Sequence, residues 1–152
     1  MEDRFEMFTV LIAKISRSIR RIKTEEMSEY NLKSPHVSCL YYIYKRGALA
    51  AAELCELCAE DKASISRSIE YLESNGYIVC ESNQKKRYNS PLSLTQQGQA
   101  IAANLSKKID DILALASAGI SDTKRNTMYH CLQIISKNLD VFCNNYESKE
   151  KK

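Results

Sequence analysis

Glycine and proline are scarce in this sequence: four and two residues respectively in a chain of 152. That scarcity excludes collagen-like and loop-rich architectures. It leaves long stretches of Leu, Ile, Ala, Lys and Glu that read as a mainly helical chain. No apolar run approaches the length of a membrane span, and Met1-Glu2-Asp3-Arg4-Phe5 lacks the layout of a secretory signal, so a cytoplasmic, non-membrane protein is expected. A glycine-rich phosphate loop, an HExxH pair and a nucleophile elbow are all missing. No catalytic residue, metal site or cofactor is therefore expected, and the chain does not read as an enzyme. Hydrophobic residues at 44% suffice for a core, and a net charge of +3 permits contact with nucleic acid without arguing for it.

What is present centres on Leu54 to Leu72. A short helix, Ala51 to Cys58, places Leu54 and Leu57 inward. Ala50 stands where a capping Ser or Thr is usual, a deficit of ~1 kcal/mol that Glu53 partly offsets through the helix dipole. Glu60-Asp61 forms a turn, with Asp61 as N-cap of a second helix. There Ile65, Ile69 and Leu72 share the inner face, while Ala63, Arg67, Glu70 and Ser74 share the outer one. Asn75-Gly76 ends it through a left-handed cap. Tyr77 to Glu81 reads as a strand, Ser82 to Arg87 as a polar turn with three successive cations, and Tyr88 to Leu94 as a returning strand. Pro91 confines that second strand to an edge or an irregular pairing. Helix, turn, helix and hairpin in this order make a winged helix-turn-helix, expected over residues 34–94.

The flanks are heptad-like. Phe5, Phe8, Ile12, Ile15, Ile19 and Ile22 recur at spacings of 3, 4, 3, 4 and 3. Met128, Leu132, Ile135, Leu139, Phe142 and Tyr146 recur at 4, 3, 4, 3 and 4. Such seams suit helix-on-helix packing, within one chain or between two copies. Residues 1–33 and 95–146 are expected to form a helical dimerisation region, and residues 147–152 a disordered tail. Between flank and winged helix, Asn31 suits a left-handed cap and Ser34-Pro35 a helix start. The helix that follows is apolar nearly all round, the mark of a strut buried on several sides. Thr95 reads as the cap of a long helix carrying Ile101, Leu105 and Ile109, which Gly119 breaks.

The cysteines are Cys39, Cys55, Cys58, Cys80, Cys131 and Cys143, expected as unbridged thiols in a reducing compartment. Cys55-x-x-Cys58 invites a metal or redox reading. A structural zinc site wants a second ligand pair, however, and neither histidine is near in sequence, so both are expected as buried thiols. Cys80, beside the hairpin, is the expected exposed one.

These features together resemble the MarR family of bacterial transcriptional regulators. The resemblance rests on Asn31-Leu32 with Leu40, on Ala52-Glu53-Leu54, and on Asp61-Lys62-Ala63-Ser64-Ile65-Ser66-Arg67. It continues through Leu72-Glu73-Ser74-Asn75-Gly76-Tyr77-Ile78 and Leu94-Thr95-Gln96-Gln97-Gly98. It implies a homodimer with interleaved terminal helices, binding a palindromic double-stranded operator, with a small ligand or oxidation as the signal. The expected sense is repression released by a ligand. One departure concerns the wing: the family often carries Asp-x-Arg there, whereas Arg87 follows Lys85 and Lys86. The family's peroxide-sensing branch uses a cysteine near the first helix, and none precedes Cys39 here.

For DNA contact the expected residues are Lys62, Ser64, Ser66 and Arg67 on the second helix, with Lys85, Lys86 and Arg87 on the wing. Short polar and cationic side chains can reach base edges, and Arg67 has the fork that guanine accepts. Lys62 at the helix start suits a phosphate, and the wing cations suit a narrow minor groove. Glu70 should angle away or pair with Arg67. Arg17, His36, Cys39 and Tyr42 are the candidate liners of a pocket for an aromatic or phenolic effector. The competing readings are a thiol- or metal-responsive regulator and a winged helix used for protein interaction.

Overall fold

The computed structural model describes residues 3–81 and 89–150. The expected wing cations Lys85, Lys86 and Arg87 lie outside the described residues. The chain divides into two compact units, residues 1–110 and 111–152.

The first unit opens with a π-helical turn, Glu6–Val10, that runs into α1, Leu11–Glu26. A π turn holds more residues than an α turn. It therefore offsets Phe5 and Phe8 from the line set by Ile12, Ile15, Ile19 and Ile22, and the predicted seam is straight only from Ile12 onward. Along that line the isoleucines are 37–55% exposed, so this compact unit leaves its α1 stripe uncovered. A 3-10 turn, Ser28–Tyr30, follows, and Asn31 takes the left-handed conformation expected of it, at φ 55°.

Helix α2 spans Ser34–Arg46. Its cap is one residue earlier than the sequence suggested: Lys33 is the N-cap, and its N–H donates to His36 Nδ1 at 3.0 Å. Ser34 is already helical, and its amide donates to Thr24 Oγ1 at 3.2 Å, tying α2 to α1. Val37, Ser38, Cys39, Leu40 and Ile43 are buried and Tyr41, Tyr42 and Tyr44 half-buried, so α2 is the strut its composition predicted.

Helices α3, Ala51–Cys58, and α4, Lys62–Ser74, pack on α2. The missing cap at Ala50 is met by more than a dipole, because the Ala50 N–H donates to Glu53 Oε2 at 2.9 Å. Ala59 ends α3 at φ 51°, an uncommon conformation for a residue with a Cβ and one that the sequence did not suggest. Asp61 caps α4 as predicted, its Oδ1 accepting from Ser64 N–H at 2.7 Å.

Strands β1, Ile78–Cys80, and β2, Leu92–Leu94, pair antiparallel with Ile78 opposite Leu94 and Cys80 opposite Leu92. Both are shorter than predicted. Pro91 stands immediately before β2 and contributes only its carbonyl, which accepts from Glu81 N–H at 3.0 Å. Leu49 bridges to the other side of Leu92, so the short link before α3 serves as a third strand position. The core gathers Met27, Leu32, Val37, Leu40, Leu54, Ile65, Leu72, Ile101 and Leu105, all at most 7% exposed. Burial of such side chains at about 25 cal/mol per Å² is the main force holding the unit together.

Helix α5, Gln96–Ala116, begins in this unit. Thr95 caps it by accepting from Gly98 N–H at 3.0 Å. The second unit holds the end of α5 and the whole of α6, Asp122–Glu150, with Gly119 between them at φ 81°. The expected helix end at Tyr146 is corrected, since α6 continues through Glu150. No glycine or proline follows Gly119 to stop it, and Ser148 Oγ donates back to the Asn144 carbonyl at 3.0 Å. Leu132, Leu139, Phe142 and Tyr146 on α6 are 38–63% exposed.

Candidate nucleic-acid interface

Helix α4 presents the side chains singled out from the sequence. Its buried face is Ile65, Ser68 and Leu72, and its exposed face carries Lys62, Ala63, Ser66, Arg67, Glu70 and Ser74. Ser64 is half-buried and committed to the cap through its amide, while its carbonyl accepts from the buried Ser68 hydroxyl at 2.9 Å. Its side chain is thus less exposed than those of Lys62, Ser66 and Arg67. The Ser68 bond satisfies a polar group that would otherwise be costly in the core. Both bonds hold the first turn of α4 in place.

Glu70 does not pair with Arg67 among the described residues. It lines a groove of about 380 Å³ with Ser66, Glu73, Cys80 and Leu92, between α4 and the strands. The carboxylates of Glu70 and Glu73 thus sit toward the sheet side, and Arg67 keeps an exposed guanidinium. The turn before α4 is also anchored from behind. Arg20 on α1 bridges Glu60 at 2.9 Å, with the Glu60 side chain only 14% exposed.

A second cavity, of about 340 Å³, lies between α1, α2 and the end of α3. Ile12, Ile15 and Ile19 form its apolar wall, and Lys23, Ser38, Cys58 and Glu60 its polar part. Lys23 Nζ donates to Ser38 Oγ at 2.9 Å. Burial lowers the pKa of Lys23, an effect that the neighbouring Cys58 and Glu60 oppose and Arg20 reinforces.

None of the four residues expected to line a pocket lines this one. Arg17 is exposed on α1, Tyr42 is half-buried, and Cys39 is fully buried on α2. His36 has structural partners instead. Besides bonding the Lys33 amide, its ring stacks on Tyr71 at 4.3 Å and 4°, and the Tyr71 hydroxyl donates to the Asn31 carbonyl at 2.9 Å. Burial, with Lys33 nearby, holds its pKa below the usual histidine value. The liners that sequence reasoning missed, Lys23 and Cys58, come from two elements whose approach no spacing rule reveals.

The thiols are unbridged as expected but differ from expectation in their exposure. None of the six cysteines is bridged; Cys131 and Cys143 are exposed, Cys80 is half-buried, and so are Cys55 and Cys58. Cys58, the last residue of α3, stands on the cavity wall.

Among solved structures, a MarR family regulator from Neisseria meningitidis superposes with a TM-score of 0.81 at 17% identity, covering 94% of this chain and 98% of that one. The fold is that of the MarR-family winged-helix regulators. A putative MarR family transcriptional regulator from Listeria monocytogenes, solved in complex with a 26mer DNA, gives a TM-score of 0.78 at 24% identity, over 91% of this chain and 90% of that one. A curated relative from Bacillus subtilis (strain 168), the uncharacterized HTH-type transcriptional regulator YybA, is 22% identical over 129 residues, 85% of this chain and 86% of that one. No protein-family model matches the chain. In the MarR fold the second helix of the helix-turn-helix is α4 and the wing is the β1–β2 hairpin. Among the described residues, no helix is long and apolar enough to cross a membrane, and no cluster of three His, Cys, Asp or Glu could hold a metal.

Proposed function

We propose that this chain is a MarR-type transcriptional regulator that binds double-stranded DNA as a homodimer. The observation that carries the reading is the exposed Lys62, Ser66 and Arg67 face of a helix whose first turn is fixed by Asp61. An α-helix fits the major groove, and a short polar face lets it approach the base edges. Arg67 would read guanine, Ser66 a base or phosphate, and Lys62 a phosphate. Lys85, Lys86 and Arg87 would follow the adjacent minor groove. Two copies would bring two such helices to a palindromic operator. The uncovered apolar stripes of α1 and α6 support the pairing, since isolated monomers rarely leave so much apolar surface in water.

Repression released by a small acidic or phenolic ligand is the regulatory sense we favour. The cavity supports it, with an isoleucine wall for a ring and Lys23 for an anionic group. Fluorescence anisotropy on a labelled duplex tests the DNA reading. Binding should weaken steeply with salt as cations on the protein displace counterions from phosphate. Binding without salt dependence would instead favour a protein-interaction module.

A further inference from the structure

We propose, building on the dimeric DNA reading above, that Arg20 and Glu60 are positioning residues that set the separation of the two copies of α4. Operators would then be selected by half-site spacing as well as by base sequence. Neither residue lies on the α4 face assigned to DNA.

Helix α1 has two neighbours to satisfy. Its stripe of Ile12, Ile15, Ile19 and Ile22 is exposed and is the surface assigned to the second copy. Within the chain it packs on α2, where Thr24 Oγ1 accepts from the Ser34 amide at 3.2 Å and the Lys23 ammonium donates to Ser38 Oγ at 2.9 Å. Toward the end of α3 it does not close up. The cavity of about 340 Å³ lies there, with Ile12, Ile15 and Ile19 on one wall and Cys58, Ala59 and Glu60 on the other. Arg20 spans the gap, its guanidinium meeting the Glu60 carboxylate at 2.9 Å. Close-packed side chains fix the distance between two elements by themselves; across a cavity a charged hydrogen bond must do so.

The pair is built to persist. The Glu60 side chain is 14% exposed, so its carboxylate has little water to turn to when the bond opens, whereas Arg20 reaches it from the solvent side. A partly buried pair is also screened less by salt than one between two hydrated ions. Lys23, on the same cavity, is committed to Ser38.

The turn passes the constraint on to α4. Ala59 takes the left-handed conformation at φ 51°, and the Ala59 and Glu60 N–H groups donate to the Glu56 and Cys55 carbonyls, both at 3.2 Å. Asp61 follows at once and caps α4 through Ser64 N–H at 2.7 Å. What holds the Glu60 side chain therefore holds the start of α4 relative to α1. One base pair added between half-sites displaces one of them by about 3.4 Å along the duplex. A helix tied to its dimer element cannot follow that shift, and a helix released at Glu60 can follow part of it.

The test reads ratios of affinity by fluorescence anisotropy. The probe is the duplex that the unmutated full-length protein enriches from a random pool, set against two duplexes with half-sites one base pair closer or farther. The unmutated protein should bind the altered duplexes about tenfold or more weakly, because a displaced half-site forfeits base contacts. Arg20→Met and Glu60→Ala should shrink that penalty severalfold, and Arg20→Lys, which keeps the charge, should retain most of it. Lower stability or weaker dimerisation reduces binding to all three duplexes alike and leaves the ratios unmoved. Lys23 can swing to Glu60 in Arg20→Met but finds no carboxylate in Glu60→Ala, so the second variant removes the tie whatever Lys23 does. A full penalty in Glu60→Ala, an Arg20→Lys as tolerant as Arg20→Met, or an unmutated protein indifferent to spacing would overturn the proposal and leave the DNA reading intact. A protein that enriches no repeat would overturn both.

Discussion

A Cβ built on Gly98 would lie 1.9 Å from the carbonyl oxygen of Tyr77. That carbonyl also accepts from Thr95 N–H at 3.1 Å, while the Thr95 hydroxyl donates to the Gly76 carbonyl at 2.6 Å. Three parts of the fold, the end of α4, the start of β1 and the start of α5, are joined at this point. The close approach leaves no space for any side chain at Gly98.

Gly98→Ala should therefore destabilise the protein by about 2–3 kcal/mol, because backbone rather than a flexible side chain must move. The midpoint of urea unfolding measures this, and an unchanged midpoint would mean the contact relaxes freely.

Asp61→Ala should cost about 1 kcal/mol through loss of the bond to Ser64 N–H, whereas Asp61→Asn should be nearly neutral because the amide oxygen can replace the carboxylate. Equal losses in the two variants would assign the effect to charge rather than to capping.

His36 gives a pH signature. Its folded pKa lies below its unfolded value, so the unfolded chain takes up the proton first as the pH falls. The stability contribution is complete above the unfolded value near 6.5 and is lost as the pH falls through the lower folded value. Protonating Nδ1 would also break the bond from Lys33 N–H. His36→Asn, which retains an acceptor without titrating, should flatten the stability profile between pH 7 and 5. Unfolding curves of both proteins over that range decide the matter.

Ile15→Glu with Ile19→Glu should turn a dimer into a monomer in sedimentation velocity, since each places a charge on the exposed stripe of α1. DNA affinity should fall with it. A dimer of unchanged strength would move the interface elsewhere.

The winged helix was legible because its signals are local. The Asp61 cap, the Ile65–Leu72 face, the Gly76 stop and the Pro91 limit on β2 all act within a few residues. Lys23 and Cys58 were not legible, because 35 positions separate them and only the packing of α1 on α2 and α3 brings them to one cavity. His36 was ambiguous for the same reason. A histidine near a helix start could line a pocket or cap the helix, and the stacking on Tyr71 is a contact across 35 residues. The Cys58 position on a cavity wall follows from the approach of α1 and α2, which periodicity does not reveal.

The direct measurement is selection of bound sequences from a random duplex pool by the unmutated protein and by Arg67→Ala. The account predicts an inverted repeat with half-sites about 34–36 Å apart. For Arg67→Ala it predicts affinity weaker by about 1–3 kcal/mol and preference lost at one position in each half. Failure to enrich any repeat, or the same repeat at the same affinity from Arg67→Ala, would contradict it.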